Sequence, residues 1–246
     1  MPTIQNKLIR HQIFLERFAG SVANIMQDGI DRARDIAIAD LVTNNNLNIN
    51  QLKQRLEGIL SEYMNNALDE VKELTSHEAE FNERLLSKEL DEVAGATQAA
   101  LLSALINKPM PVGLADKKAN RKIQPAYNKF AEQTAGKIVQ PIKDSQVNGG
   151  DNLTTAETIL FLTAGILAAQ AKSLARSSVV HAANTSKEEV YKVNPIEQVE
   201  WVSVLDSHTT EYCRGQDGKI YDVGSGPRPP AHYNCRSITQ PVIPND

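Results

Sequence analysis

Six of the chain's 11 prolines fall after residue 194, together with both cysteines and the only tryptophan. Proline fixes φ and removes a backbone donor, so this tail cannot continue the helical pattern that precedes it. Ahead of the boundary the spacing is helical. Leu15, Phe18, Val22 and Ile25 alternate three- and four-residue steps between charges such as Glu16, Arg17, Asp28 and Asp31, as one amphipathic helix requires. The run TNNNLNIN, Thr43 to Asn50, should break it, because asparagine side chains compete for backbone hydrogen bonds. Leu52, Leu56, Leu60, Tyr63, Ala67, Val71 and Leu74 then form a second stripe that must face a partner.

These patterns predict a mainly α protein: a long helical body over residues 1–150, then a small C-terminal α+β module over 151–246. In that module a helix over 154–184 precedes a compact tail over 195–246, with short antiparallel strands and proline-rich loops. Only 5% aromatic residues, 41% hydrophobic and 23% charged fit a helical globular chain. Net charge is −4, so the whole molecule is no magnet for polyanions and any such contact is local.

Two local imbalances stand out. Between Glu62 and Glu92 ten acids face only Lys72, Arg84 and Lys88, on what should be the exposed side of a helix. From Lys117 to Lys143 seven bases (Lys117, Lys118, Arg121, Lys122, Lys129, Lys137, Lys143) face Glu132 alone. That stripe is a candidate contact for DNA phosphates or an acidic partner, with a solvated helix face as the plain alternative. Pro109 and Pro111 should stop the preceding helix and set a hairpin-like connection. The start MPTIQNKLIRHQ lacks an apolar core of the signal-peptide kind, which points to a cytoplasmic product. The most apolar run, Ile159 to Ala169, is about half of the ~20 residues a helical crossing needs, so no membrane span is expected.

Thr154 and Glu157 have capping-box spacing and should begin the helix that carries ILFLTAGILAAQAKSLARSSVVHAAN. Its nearly all-round apolar first half implies burial among other helices. His181 on this helix reads as a packed side chain, since no second ligand recurs one turn away. Ser186 and Glu189 repeat the capping spacing and suggest one more short helix.

From Val199 the period changes to two through Trp201, the mark of a half-buried strand. Asp206 to Thr210 reads as a loop, and Asp217-Gly218 as a hairpin turn before a strand at Lys219 to Val223. The proline-rich stretch containing Pro227, Pro229 and Pro230 should deliver His232 and Cys235 to one place with Cys213. His-x-x-Cys is half of a tetrahedral zinc site, and His208 or Asp206 would be the fourth ligand after Cys213, His232 and Cys235. A disulfide between the cysteines, or two buried thiols, are the competing readings, and spacing decides among none of them.

The tail WVSVLDSHTTEYCRGQDGKIYDVGSGPRPPAHYNCRSITQPV closely resembles the C-terminal signature of the Mu F-like phage head morphogenesis, or minor head, proteins. Their pattern is a strand Trp, D-x-R-T, a Cys, a D-G turn, P-P-x-H-x-x-C-R-S/C and a closing proline. Trp201, Asp206, Thr209, Cys213, Asp217, Gly218, Pro229, Pro230, His232, Cys235, Arg236, Ser237 and Pro241 fall on it. Upstream, Ala175, Arg176, Ala183 and Asn184 match the family's preceding helix. The likeness spans roughly residues 155–243. His208 stands where the family has Arg, and Thr210 where some members have the first Cys of C-x-x-C; the second departure weighs against zinc.

The resemblance implies a non-enzymatic virion component, docked on the portal oligomer with capsid or scaffolding proteins, made in the host cytoplasm and carried in the head. Contact with packaged DNA is part of that expectation. No cofactor is expected beyond the zinc alternative at Cys213, His232, Cys235 and His208. Two rivals carry different chemistry: a sequence-nonspecific DNA-binding protein using the basic stripe, and a metal-dependent nuclease or toxin-like enzyme built on His208, His232 and Asp206. The chain has no G-x-S-x-G, no H-E-x-x-H and no phosphate-cradling glycine loop.

Overall fold

The computed structural model describes residues 4–44, 47–110 and 121–243. It is mainly α with a small three-stranded antiparallel sheet near the C-terminus. The helices are α1 (Ile4–Thr43), α2 (Ile49–Leu86), α3 (Gln98–Asn107), α4 (Ile123–Asn148), α5 (Asn152–Phe161) and α6 (Ala168–Lys192). A π-helical turn, Leu162–Leu167, joins α5 to α6 without a break. The tail holds β1 (Gln198–Val202), the short α7 (Glu211–Gln216), β2 (Ile220–Asp222) and β3 (Ile238–Val242).

The 150/151 boundary does not separate the compact parts of the chain. One unit comprises residues 1–19, 70–123 and 174–246, and the other 20–69 and 124–173. Three changeovers fall inside α1, α2 and α6, which no local periodicity could reveal.

In the unit of 20–69 and 124–173, the predicted second stripe is buried at Leu52, Leu56, Leu60 and Ala67. α1 contributes Val22, Met26, Ile30, Ala33, Ala37 and Leu41, and α4 contributes Ala131, Ala135, Ile138 and Ile142. Gly29 lets α1 approach α2 closely: a Cβ there would lie 2.6 Å from that of Tyr63. Asp151, rather than Thr154, caps α5, accepting from the Thr154 amide at 2.9 Å; the carboxylate lies one turn ahead of that amide and takes its orphan N–H. The apolar run is not buried all round. Thr155, Ile159, Thr163 and Leu167 pack inward at four-residue steps, while Leu160, Phe161 and Ile166 are exposed. Because the helix continues over Asn152–Lys192, it is long and apolar enough to cross a membrane by length and composition, with 33% of its most apolar window buried.

In the other unit the surrounded helix is the second part of α6, where Ser177, Ser178, His181, Asn184, Thr185, Ser186 and Lys187 are all buried. Short polar side chains tolerate this by bonding to their own helix: Ser178 Oγ donates to the Leu174 carbonyl at 2.8 Å and Asn184 Nδ2 to that of Val180 at 2.9 Å. Ser186 therefore lies inside α6, and the second capping signal starts no new helix. His181 is packed as expected, its Nε2 3.3 Å from the Leu105 carbonyl, and burial holds it neutral with a pKa of about 3. Within the acidic run, Glu78 is buried rather than solvated. It pairs with His11 at 2.7 Å, and the His11 ring stacks on Phe81. α3 ends before Pro109, and Met110 pairs with Arg121 in an antiparallel bridge; Pro111 lies outside the described residues.

Candidate functional site

The sheet order is β2-β1-β3, with β1 antiparallel to both neighbours. Pro241 pairs with Val199 on the edge strand β3, where its missing donor disturbs no inner ladder. Trp201, on the central strand β1, is fully buried and packs with Cys213, Ala231, Cys235 and Tyr221 in a small core of its own. Its backbone takes part in the turn after α7: Gly218 donates to the Trp201 carbonyl at 2.8 Å, and Trp201 to that of Lys219 at 2.8 Å. Gly218 has φ +76°, a conformation that suits glycine. Asp217-Gly218 thus makes the predicted turn, but it connects α7 to β2. A six-residue helix is too short to show a period, so spacing does not predict α7.

Ser203 ties this core together. Trp201 Nε1 donates to its hydroxyl at 2.9 Å, and the hydroxyl reaches the Cys213 carbonyl at 2.9 Å and Ser237 Oγ at 3.1 Å. Asp217 accepts from the Ser203 amide at 2.7 Å. Sequence spacing gave no hint of this hub.

Thr210 caps α7, its hydroxyl accepting from the Cys213 amide at 3.4 Å, and so sets Cys213 one turn above itself. The loop carrying buried Pro230 and Ala231 brings His232 and Cys235 to the same point. Cys213 Sγ lies 3.2 Å from His232 Nε2 and 3.7 Å from Cys235 Sγ, while Thr210 Oγ1 lies 3.1 Å from the same imidazole nitrogen. His232 Nδ1 is 2.8 Å from the Tyr233 carbonyl; a carbonyl only accepts, so Nδ1 carries a proton. Both cysteines are free and buried. Donation from Cys235, then from His232, holds the Cys213 thiol below its ordinary value. Cys235 is pushed up by the neighbouring Cys213 sulfur and by burial. His232 is raised by its bond to Cys213.

Cys213, His232 and Cys235 form a group with metal-ligand geometry, one ligand atom of each within 4.8 Å of the others. Exposed His208 falls outside that group, and Asp206 is otherwise engaged. Arg236 clamps the Asp206 carboxylate through both oxygens at 2.6 and 2.7 Å, and Asp206 also accepts from the His208 amide at 2.9 Å. The guanidinium holds this carboxyl well below the usual range. A carboxylate so occupied is a poor candidate for the nuclease constellation of His208, His232 and Asp206. Cys213 is only 2% exposed.

The upstream residues of the resemblance hold the tail onto α6. Asn184 accepts from the Thr239 amide at 3.2 Å, Arg176 donates to Asn234 at 3.3 Å and to Glu16 at 3.0 Å, and buried Lys187 donates to the Thr239 carbonyl at 2.8 Å. Arg228 reaches the Pro109 carbonyl at 3.0 Å. Beside the site, Ile13, Val204, Leu205, His232 and Tyr233 border a groove of about 1100 Å3.

The basic stripe is less concentrated than its sequence suggests. Lys117 and Lys118 lie outside the described residues. Arg121 is half-buried, and Lys122 bonds Asn107 at 3.4 Å. Lys129, Lys137 and Lys143 sit on α4, where about 100° per residue places Glu132 and Asp144 in the same sector of roughly 140°. Lys137 bonds Gln170 at 2.9 Å.

Comparisons of the sequence with protein families and with curated proteins, and of the fold with solved structures, find no match.

Proposed function

We propose that this protein is a non-enzymatic phage minor head protein that docks near the portal vertex during head assembly. The supporting observation is the bonding among the signature residues. Trp201, Cys213 and Cys235 share one core, Asp217 anchors Ser203, Asp206 is clamped by Arg236, and Arg176 and Asn184 fasten the result to α6. A sequence likeness scattered over residues 176–236 thereby corresponds to one stiff knob, and stiffness suits a fixed architectural contact because little ordering entropy is lost on docking. The groove rimmed by Ile13, Val204, Leu205 and Tyr233, all exposed, gives the knob an apolar face for that contact.

Mixing the purified protein with the portal oligomer tests the reading. Co-elution that is lost in a Leu205→Asp, Tyr233→Asp variant of unchanged helicity is the expected result. No co-elution, together with normal heads from a phage lacking the gene, would overturn it. DNA contact is part of the same proposal and would appear as salt-dependent retention of duplex by the complex.

A further inference from the structure

We infer that Cys213, His232 and Cys235 bind one Zn2+ ion, with its fourth position open to a water molecule or the Thr210 hydroxyl. The distances carry the argument. Zn–S bonds of about 2.3 Å and Zn–N bonds of about 2.05 Å at tetrahedral angles require S···S near 3.8 Å and S···N near 3.6 Å. The protein holds 3.7 Å between the two sulfurs and 3.2 Å between Cys213 Sγ and His232 Nε2. A disulfide would need the sulfurs at about 2.05 Å, far shorter than their separation.

The surroundings fit an ion. The Tyr233 carbonyl, 2.8 Å from Nδ1, keeps a proton on that nitrogen, so that once Nε2 gives up its own proton its lone pair faces the sulfurs, as an outer partner arranges for a metal-bound histidine. Two thiolates and a neutral imidazole cancel the charge of Zn2+, so the occupied centre is neutral and its burial carries no Born cost for a net charge. A cavity of about 10 Å3 lies against Thr210, Cys213 and His232, close to the least space that holds one water. Thr210 Oγ1, 3.1 Å from His232 Nε2 and 3.4 Å from the Cys213 amide, is the oxygen beside two of the three ligands. On binding, two Zn–S bonds and one Zn–N bond form as each thiol still protonated, and the His232 Nε2–H, release their protons to solvent, with no change of oxidation state. The inference stands apart from the head-assembly reading, because the ion is held whatever the knob docks on.

The test uses the full chain, reduced and stripped with a chelator, then titrated with Zn2+ against a chromophoric chelator and separately with Co2+. The expected result is about one Zn2+ per chain and a Co2+ spectrum with thiolate charge-transfer and tetrahedral d–d bands. Cys235→Ser and His232→Ala should weaken binding by more than about 100-fold, beyond the loss typical of outer-shell changes. His208→Ala should change it less than about twofold, since that side chain is outside the ligand group. Those deletions could unfold the knob, so Thr210→Cys supplies a gain. A third thiolate should raise the cobalt charge-transfer intensity by about half and tighten Zn2+ binding at least tenfold. Two titratable thiols with no stoichiometric metal, or a Thr210→Cys variant no tighter than the parent, would overturn the inference.

Discussion

Ser203→Ala should unfold the knob far more easily than removal of one hydroxyl ordinarily would. The Ser203 oxygen accepts from the indole of Trp201 at 2.9 Å and reaches the Cys213 carbonyl at 2.9 Å and Ser237 at 3.1 Å. Trp201 is completely buried, so no water replaces the lost acceptor. An orphaned buried donor costs about 1–3 kcal/mol, and the bond lost at the Cys213 carbonyl adds about 1 kcal/mol, for a total of about 2–4 kcal/mol. With a urea slope of about 2–3 kcal/mol/M, the midpoint should fall by roughly 1 M. Trp201 is the only tryptophan, so its fluorescence reports this core alone. Ser207→Ala, at an exposed position, serves as the control and should stay within about 0.5 kcal/mol. A Ser203→Ala midpoint within about 0.2 M of the parent would refute the assignment of Ser203 as the hub.

Three further outcomes are expected. Asp206→Asn should flatten the acid limb of the same unfolding curve: the Asp206 carboxyl is depressed by Arg236, so its contribution is complete above the unfolded value of about 3.9 and drains away as pH falls through the folded one. Equal slopes between pH 5 and 2.5 in parent and variant would argue against that pairing. Lys187 is lowered by burial to about 8, so the folded chain releases its proton first, and stability should climb between about pH 8 and 10.4, a rise that Lys187→Met abolishes in urea titrations. Gly29→Ala should destabilise the chain by about 1–3 kcal/mol in thermal melts, because the new methyl meets Tyr63 Cβ at 2.6 Å and the overlap outweighs alanine's helix preference of roughly 1 kcal/mol.

The long helices were legible because their burial is periodic: Leu52, Leu56 and Leu60 all face inward as spaced. The convergence of Cys213, His232 and Cys235 was legible from turn residues and ligand chemistry. Other features rest on encounters that spacing does not encode. Asp206 meets Arg236 across thirty residues, and His11 meets Glu78 across a still longer stretch. Capping signals misled where their residues recur by chance: Asp151 outcompeted Thr154, and Ser186 sits inside a helix. Hydrophobicity misled on α6, whose most enclosed part is rich in short polar side chains, of which Ser178 and Asn184 bond back to their own helix.

The discontinuous makeup of the unit containing β3 has a consequence during synthesis. Leu8 packs with Leu85 and Ile238 in one cluster, so the cluster is complete only after Ile238, some 230 residues beyond Leu8, has emerged. At about 5–20 residues per second, that interval is on the order of 10–45 s. Until then the apolar patch around Leu8, near the start of α1, lacks the cover of Ile238, and a holding chaperone would find its natural target there.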